Sequence, residues 1–298
     1  MANAHAPTAH DADKYYIPHE SPWPIYGSVT LFTMMIGACG WLNEWYGPWV
    51  FALGFAMLIG LFVGWFNVVI GENQRGIYNL QVDKSFRMGM MWFIFSEVMF
   101  FAAFFGALFY ARQLSVPWIG GEGVKIFNKL LLWKDFETAW PTNGPAKVGP
   151  RDDGSFELVS AFGLPALNTA ILLTSGITIT IAHHALLQGK RAILNLFLFL
   201  TFALGFLFVG LQAFEYHHAY TELGLKLSTG IYGSTFYMLT GFHGFHVTLG
   251  AIMLVCIWLR TMNGHFTPKR HFGFEAVAWY WHFVDVVWLG LFIFVYWI

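Results

Sequence analysis

The chain has 298 residues, of which 57% are hydrophobic and only 11% charged, and its formal net charge is −1. Soluble domains carry roughly 25% charged residues, so this composition excludes an ordinary soluble protein, and the near-neutral balance gives no support for a nucleic-acid partner. The polar start lacks the basic and apolar regions of a signal peptide, so we expect the first apolar segment to remain in the mature protein.

Apolar runs long enough to cross a bilayer occur seven times along the chain. About 20 residues at ~1.5 Å per residue cross a hydrocarbon core ~30 Å thick. The pattern therefore predicts an all-α integral membrane protein with seven transmembrane helices. The predicted helices cover residues 24–42, 49–70, 88–110, 165–187, 192–214, 233–259 and 276–298.

Polar segments divide the chain into four parts. Residues 1–22 form a polar tail, 23–70 the first two helices, 71–87 a polar loop, and 88–298 the other five helices with a long loop at 111–160. The loop at 71–87 is far longer than the connection between the fourth and fifth helices. This spacing favours a two-helix unit followed by a five-helix unit, although an ordinary loop would give the same spacing.

Lys and Arg are distributed unevenly between the two sides of the predicted bundle. The short loops on one side contain only Lys226, and the long loop is left out because long segments escape the positive-inside rule. The N-terminus is therefore predicted inside and the C-terminus outside. The basic residues on the inner side are Lys14, Arg75, Lys84, Arg87, Lys190, Arg191, Arg260, Lys269 and Arg270.

Glu97 is the single charged side chain in the predicted third helix, 88–110. It lies roughly 13 Å from the start of that helix, near the bilayer midplane. An acidic side chain there costs about 2.5–3.5 kcal/mol on insertion scales. Glu97 is therefore either protonated or held by a specific partner. A functional role is favoured, and a structural hydrogen bond to a neighbouring helix is the alternative.

Twelve histidines raise the question of a metal centre. The adjacent pairs His183–His184 and His217–His218 lack upstream partners, and the predicted orientation sets them on opposite sides of the membrane. Such ligands cannot share a metal ion. The two cysteines form no CxxC motif, and phosphate-binding motifs are missing from the sequence. We therefore predict no metal or redox cofactor in this chain.

Two closely spaced polar pairs lie in the last two helices. His282 and Asp285 share a helix face at i, i+3, so they form either a proton relay or, as we favour, a mutually satisfied pair that packs against other helices. His243 and His246 lie beside glycines, which allow helices to approach closely, and are predicted to form interhelical hydrogen bonds.

Five stretches of the chain together carry a family resemblance. The most specific are GSTFYMLTGFHGFHVTLG at 233–250 and HFGFEAVAWYWHFVDVVWLGLF at 271–292. FSEVMFFAAFF at 95–105, ITIAHHALLQGKR at 179–191 and LQAFEYHHAY at 211–220 agree with them. From about Trp23 to Ile298, the chain resembles subunit III of haem–copper cytochrome c oxidase.

This resemblance implies a subunit without redox centres in an aa3-type oxidase, which reduces oxygen to water and translocates protons. The partners would be catalytic subunit I and copper-bearing subunit II, which hold haem a and copper. The first two helices, 23–70, favour cytochrome c as the donor, because subunits III of quinol oxidases usually lack them. The polar start and the long loop at 111–160 favour a bacterial inner membrane over a mitochondrial one.

The resemblance also implies a cleft between the first two helices and the other five, filled by ordered phospholipid. Glu97 matches the buried glutamate that faces this cleft in the family. A guanidinium binds phosphate in a fork, which suits lipid head groups. Gly71 stands where many members have a basic residue, so this chain departs from the pattern there. The residues expected to contact lipid are Glu72, Arg87, Arg260 and Trp65.

Polar stretches on the predicted inner side include His265 and His271, and imidazoles titrate near neutral pH. They predict a role in proton uptake by the complex, with simple solvation of the inner face as the alternative. Three other functions stay open: a histidine-rich membrane oxidoreductase with its own metal, a quinol-oxidase subunit III, and a transporter that carries a proton on Glu97.

Overall fold

The computed structural model describes residues 15–18, 20–151 and 154–297, and this part of the chain is all-helical. Seven of its helices are long and apolar enough to cross a membrane, so the chain is a multi-pass membrane protein. The predicted fold class is confirmed. The helices are α1 (Trp23–Leu42), α2 (Trp49–Gln74), α3 (Leu80–Tyr110), α4 (Leu164–Leu187), α5 (Arg191–Thr221), α6 (Gly230–Met262) and α7 (Phe272–Leu291).

The helices extend beyond the apolar runs that predicted them. α2 continues to Gln74 and α3 begins at Leu80, so most of the polar stretch 71–87 is helix rather than loop. Asn79 accepts a hydrogen bond from the Val82 amide (2.9 Å) and caps the start of α3. Hydropathy identifies only the part of a helix that lies in the hydrocarbon layer. The helices are longer than the apolar runs because their backbone hydrogen bonds continue into the polar region.

The chain divides into two compact units, Met1–Met88 and Gly89–Ile298, with the boundary inside α3. In the first unit, α1 and α2 approach closely at small residues. A Cβ atom on Gly37 would contact the backbone of Phe51, and one on Gly54 would contact Met34. Glycine at these positions therefore lets the two helix backbones meet. Lys14 and the rest of the predicted tail up to it lie outside the described residues.

The core of the second unit is built around two buried tryptophans of α7. Trp281 donates a hydrogen bond from Nε1 to Ser175 Oγ of α4 (2.9 Å), and Trp288 donates one to Thr169 Oγ1 (2.9 Å). Gly205 of α5 faces the Trp281 ring, where a side chain would clash. A buried indole contributes a large apolar area and needs one acceptor for its N–H. The polar residues of α4 supply those acceptors.

Two connections meet at one end of this second unit. Arg191, at the start of α5, donates to the Phe266 carbonyl between α6 and α7 (2.6 Å). Thr261 donates to Asn195 Oδ1 (2.9 Å), which joins α6 to α5 at the same end. The α4–α5 and α6–α7 connections, with their basic residues, therefore lie on the same side of the unit.

The long segment 111–160 differs from the solvated loop that was predicted. The α3 helix continues through a π-helical turn, Ala111–Ser115, into Val116–Ile119. The later part packs against the α5–α6 connection, where Arg151 donates to the Glu222 carbonyl (2.7 Å). The rings of Trp140 and Phe156 lie 5.8 and 5.6 Å from that of Tyr232. Although the segment is largely polar, these aromatic residues pack it against the start of α6.

Candidate functional site

Glu97 of α3 and His246 of α6 form a close pair in the second unit. Glu97 Oε2 lies 3.0 Å from His246 Nε2, and the two side chains are 21% and 10% exposed. They are separated by 149 residues in sequence. The partly buried carboxyl therefore has a specific partner on a neighbouring helix.

The hydrogen bonds of His246 determine where its protons lie. Nδ1 is 2.6 Å from the Phe242 carbonyl, one turn earlier in α6. A carbonyl only accepts, so Nδ1 carries a hydrogen. One further proton must then lie between Nε2 and Glu97 Oε2, because two lone pairs at 3.0 Å would repel. Besides the Nδ1 hydrogen, the pair therefore holds one shared proton and is neutral overall, whichever of Nε2 and Oε2 carries that proton.

Aromatic rings surround this pair. The rings of Phe101, Phe100 and Tyr280 lie 5.0, 5.8 and 6.5 Å from that of His246. Such surroundings disfavour separated charges and strengthen a short hydrogen bond. Chemically, the site can store one proton and exchange it between oxygen and nitrogen.

His243 lies one turn from His246 but faces a different helix. Its ring is fully buried, and Nε2 lies 3.1 Å from the Val284 carbonyl of α7, so Nε2 donates. Trp288 lies beside the ring at 5.1 Å. Within the described residues, His243 Nδ1 has no hydrogen-bond partner. This histidine joins α6 to α7 and does not reach Glu97.

His282 and Asp285 of α7 are less closely paired than their spacing suggests. His282 Nδ1 lies 3.6 Å from Asp285 Oδ2, beyond hydrogen-bond distance. Thr180 Oγ1 of α4 donates to the Gly176 carbonyl (2.9 Å), so it can accept from His282 Nε2, 3.3 Å away. Both α7 residues line a cavity of about 410 Å³ between α4 and α7.

Another carboxyl in the membrane helices, Glu215 of α5, is fully buried and was not predicted as a site residue. It is 1% exposed, and Oε1 accepts from Tyr296 Oη (2.7 Å) and Gln212 Nε2 (3.2 Å). The predicted fifth helix ended at residue 214, whereas α5 continues to Thr221. A helix prediction one residue longer would have given Glu215 the same signal that identified Glu97.

Glu72, an expected lipid contact, is engaged by two tyrosines of the first unit. Tyr16 Oη donates to Oε1 (2.9 Å) and Tyr78 Oη donates to Oε2 (2.6 Å). Burial, and then the hydrogen bond to the Glu72 carboxylate, raise the pKa of both phenols above the usual value. The phenols therefore remain protonated donors at physiological pH, and each Glu72 oxygen already accepts one hydrogen bond.

The other expected lipid contacts lie in different surroundings. In the first unit, Arg87 is paired with Asp83 one turn earlier (2.8 Å), and the ring of Trp65 is 43% exposed. In the second unit, the Arg260 guanidinium lies 4.3 Å from the centre of the Phe266 ring. Its buried Nε has no hydrogen-bond partner in the described part of the chain.

The two histidines expected to exchange protons are not equivalent. His265 is partly exposed in the α6–α7 connection. His271 is 9% exposed, and Nε2 lies 3.0 Å from Glu275 Oε1. His183 Nε2, from the end of α4, lies 3.7 Å from the same oxygen. The structure therefore gathers His183, His271 and Glu275 into one cluster, which their spacing in the sequence does not indicate.

Comparisons with known proteins agree with these features. The family model described as cytochrome c oxidase subunit III matches residues 13–128 and 135–298. Similar proteins named cytochrome c oxidase subunit 3 come from Dugong dugon (39% identical over 289 residues) and from Squalus acanthias and Carassius auratus (39% over 290 residues each). Each alignment covers 97% of this chain and 98% of the relative. The chain therefore belongs to the cytochrome c oxidase subunit III family.

Proposed function

We propose that this chain is subunit III of an aa3-type cytochrome c oxidase, which reduces oxygen to water and translocates protons. The chain itself contributes no electron carrier, and it stabilises the catalytic subunit, holds lipids and supports proton uptake. The single observation that carries this proposal is the family match, which spans all seven membrane helices. The interhelical contacts of His243 and His246 support the proposal that the chain contributes no electron carrier. These two histidines join neighbouring helices through hydrogen bonds, so the Nε2 atom of each is already engaged by a protein atom.

Catalytic subunit I and copper-bearing subunit II are the proposed partners, with cytochrome c as the electron donor. The donor assignment rests on α1 and α2, which quinol-oxidase subunits III usually lack. Affinity purification through this chain should yield a complex that contains haem a and copper. Removal of the chain should leave the haem and copper spectra unchanged. Loss of a discrete haem or copper signal in proportion to the chain removed would contradict the proposal.

The proposed location is a bacterial inner membrane, with the N-terminus inside and the C-terminus outside. The orientation is supported by the shared position of the α4–α5 and α6–α7 connections, because five of the nine inner basic residues lie in these connections or in the adjoining helix ends. The bacterial assignment follows the long segment 111–160. The variants Lys190→Cys and Lys226→Cys, labelled in intact cells, test the orientation. Of the two introduced cysteines, only the one at position 226 should react with an impermeant thiol reagent.

The Glu97–His246 pair is proposed as the proton-bearing site of the chain. An apolar carbodiimide reacts with protonated carboxyls in apolar surroundings. Of the 17 acidic residues in the chain, it should therefore label Glu97 preferentially. Glu215 is the internal control, because it also lies in a membrane helix but is only 1% exposed, whereas Glu97 is 21% exposed and can be reached by the reagent. Preferential labelling of loop acids, with Glu97 untouched, would contradict the proposal.

Proton uptake is proposed to involve the inner surface near the α6–α7 connection. We assign it to the partly exposed His265 rather than to His271, which is buried against Glu275. The complex without this chain should still reduce oxygen, but it should take up protons more slowly at alkaline pH and inactivate during turnover. Turnover measured against pH, with and without the chain, tests this. Superimposable profiles and equal lifetimes would leave the chain a passive scaffold.

Lipid binding is proposed at Arg260, Arg87, Glu72 and Trp65. Arg260 is the strongest case, because its guanidinium is planar, partly buried and has an Nε without a hydrogen-bond partner in the described residues. Mass spectrometry of lipids that co-purify with the complex should show less phospholipid in Arg260→Gln. The matched control is Arg270→Gln, which removes an exposed arginine from the adjoining α6–α7 connection. Equal phospholipid content in both variants would exclude Arg260.

A further inference from the structure

Three side chains converge where α4 ends and α7 begins. The ligand atoms are His183 Nε2, His271 Nε2 and Glu275 Oε1, and all lie within 4.8 Å of one another. Glu275 Oε1 is 3.0 Å from His271 and 3.7 Å from His183. His271 and Glu275 are four residues apart at the start of α7, so they share one helix face. His183 comes from the last turns of a different helix.

The orientation of His271 is set by a backbone carbonyl. Nδ1 lies 3.1 Å from the Thr267 carbonyl, which only accepts, so Nδ1 carries the hydrogen. Nε2 then faces the Glu275 carboxylate at 3.0 Å, so a proton or a metal ion must lie between these two atoms. Metal-binding histidines commonly donate their second ring N–H to a carbonyl or carboxylate in this way, which fixes tautomer and ring orientation. The imidazole is 9% exposed, so this arrangement is built into the protein interior.

The distances suit a small divalent cation. A tetrahedral ion with ligands at about 2.0–2.1 Å sets its ligand atoms roughly 3.4 Å apart. The two measured separations, 3.0 and 3.7 Å, lie on either side of that value. A proton can join only two of the three atoms, whereas a metal ion can engage all three. Two imidazoles and one carboxylate form a donor set that zinc enzymes use, with a fourth position left for water.

We propose that His183, His271 and Glu275 bind one Zn²⁺ ion, which links the end of α4 to the start of α7. The His183 side chain is 31% exposed, so an ion can enter from the surface. This site departs from the prediction of no metal in the chain, because that prediction rests on the local spacing of histidines and cysteines, and these ligands come from two helices that are distant in sequence. His183 comes from α4, whereas His271 and Glu275 come from the start of α7. Zinc has no redox chemistry, so the site is compatible with a subunit that carries no electrons.

Zinc binding to the purified oxidase complex that contains the full chain tests the proposal. The complex is dialysed against chelator-buffered Zn²⁺, and bound zinc is measured by elemental mass spectrometry as a function of free zinc. The wild-type complex should bind one more zinc ion than His271→Gln or Glu275→Gln. Loss of a ligand should weaken binding at this site by more than the roughly 10–100-fold typical of outer-shell changes.

His184→Gln is the matched control, because it removes the exposed neighbour of His183 and leaves the three ligands in place. It should bind zinc as the wild type does. His183→Gln changes the most exposed ligand and gives a further test if a buried variant fails to assemble. Zinc curves for His183→Gln that coincide with the wild type would overturn the proposal, and so would an equal loss in His184→Gln.

Discussion

Two carboxyl–imidazole pairs in the membrane helices differ in a way that their spacing does not suggest. Glu97 and His246 are 149 residues apart in sequence, yet their polar atoms lie 3.0 Å apart. His282 and Asp285 lie one turn apart on α7, yet they are 3.6 Å apart. Neighbouring positions on a helix bring two side chains to the same face, but the other contacts of each side chain decide whether they meet.

The contacts of the two imidazoles explain the difference. His246 is held by the Phe242 carbonyl and enclosed by aromatic rings, so Nε2 faces Glu97. His282 faces Thr180 of α4 with Nε2 and borders a cavity, so its approach to Asp285 is looser. A carboxyl–imidazole pair is therefore held at hydrogen-bond distance where both ring nitrogens of the imidazole have fixed partners.

Of the variants that test this difference between the two pairs, removal of Glu97 should have the largest effect on the free energy of unfolding. Glu97→Ala leaves His246 Nε2 without its partner among aromatic rings and creates a cavity. We expect the free energy of unfolding to fall by about 2–3 kcal/mol. Detergent-induced denaturation of the purified complex measures this loss. Glu97→Gln is the control, because its amide can donate to Nε2, and it should recover most of the loss. Equal losses in the two variants would contradict the one-proton pair.

A methyl group at Gly176 should have an intermediate effect. A Cβ atom there would contact Asp285 Oδ2, so Gly176→Ala must displace the carboxylate. We expect a loss of about 1–2 kcal/mol in the same assay, because overpacking costs that much when a side chain can move. The adjoining cavity gives Asp285 room to move. Gly244→Ala is the control, because no atom lies within 4 Å of a Cβ there, and it should not destabilise the complex.

Removal of His282 should have the smallest effect. His282 is 46% exposed, and its distance from Asp285 is too long for a hydrogen bond. His282→Ala should therefore change the free energy of unfolding by less than about 0.5 kcal/mol. A loss as large as that of Glu97→Ala would show that the two pairs are energetically alike, and the proposed difference between them would be wrong.

The sequence was sufficient to predict the seven helices, because each contains an apolar run longer than a bilayer requires. It was also sufficient to identify Glu97, since one acid in an apolar run is a local signal. Helix ends were predicted less well, as α3 shows by its start at Leu80 rather than residue 88. Polar residues can continue a helix into water, and hydropathy does not detect that continuation.

Partnerships between distant residues could not be predicted from spacing. His246 was identified as an interhelical hydrogen-bonder, but nothing local paired it with Glu97. The cluster of His183 with His271 and Glu275 requires α4 and α7 to be neighbours, which depends on the packing of buried tryptophans. Side-chain partners across helices follow from tertiary packing, and periodicity in one helix does not encode them.

The short length of α4 limits which bilayers the second unit tolerates. Its 24 residues span ~36 Å, whereas the 31 residues of α5 and the 33 of α6 span ~46 and ~50 Å. A hydrocarbon layer of ~30 Å leaves α4 a margin of only ~6 Å. A thicker membrane would draw its histidine-bearing end into lipid while α5 and α6 still reached water. Hydrophobic mismatch would therefore act on α4 before α5 and α6. The last span, Phe272–Trp297, is similarly short with 26 residues, so the junction between α4 and α7 would be affected from both of its helices.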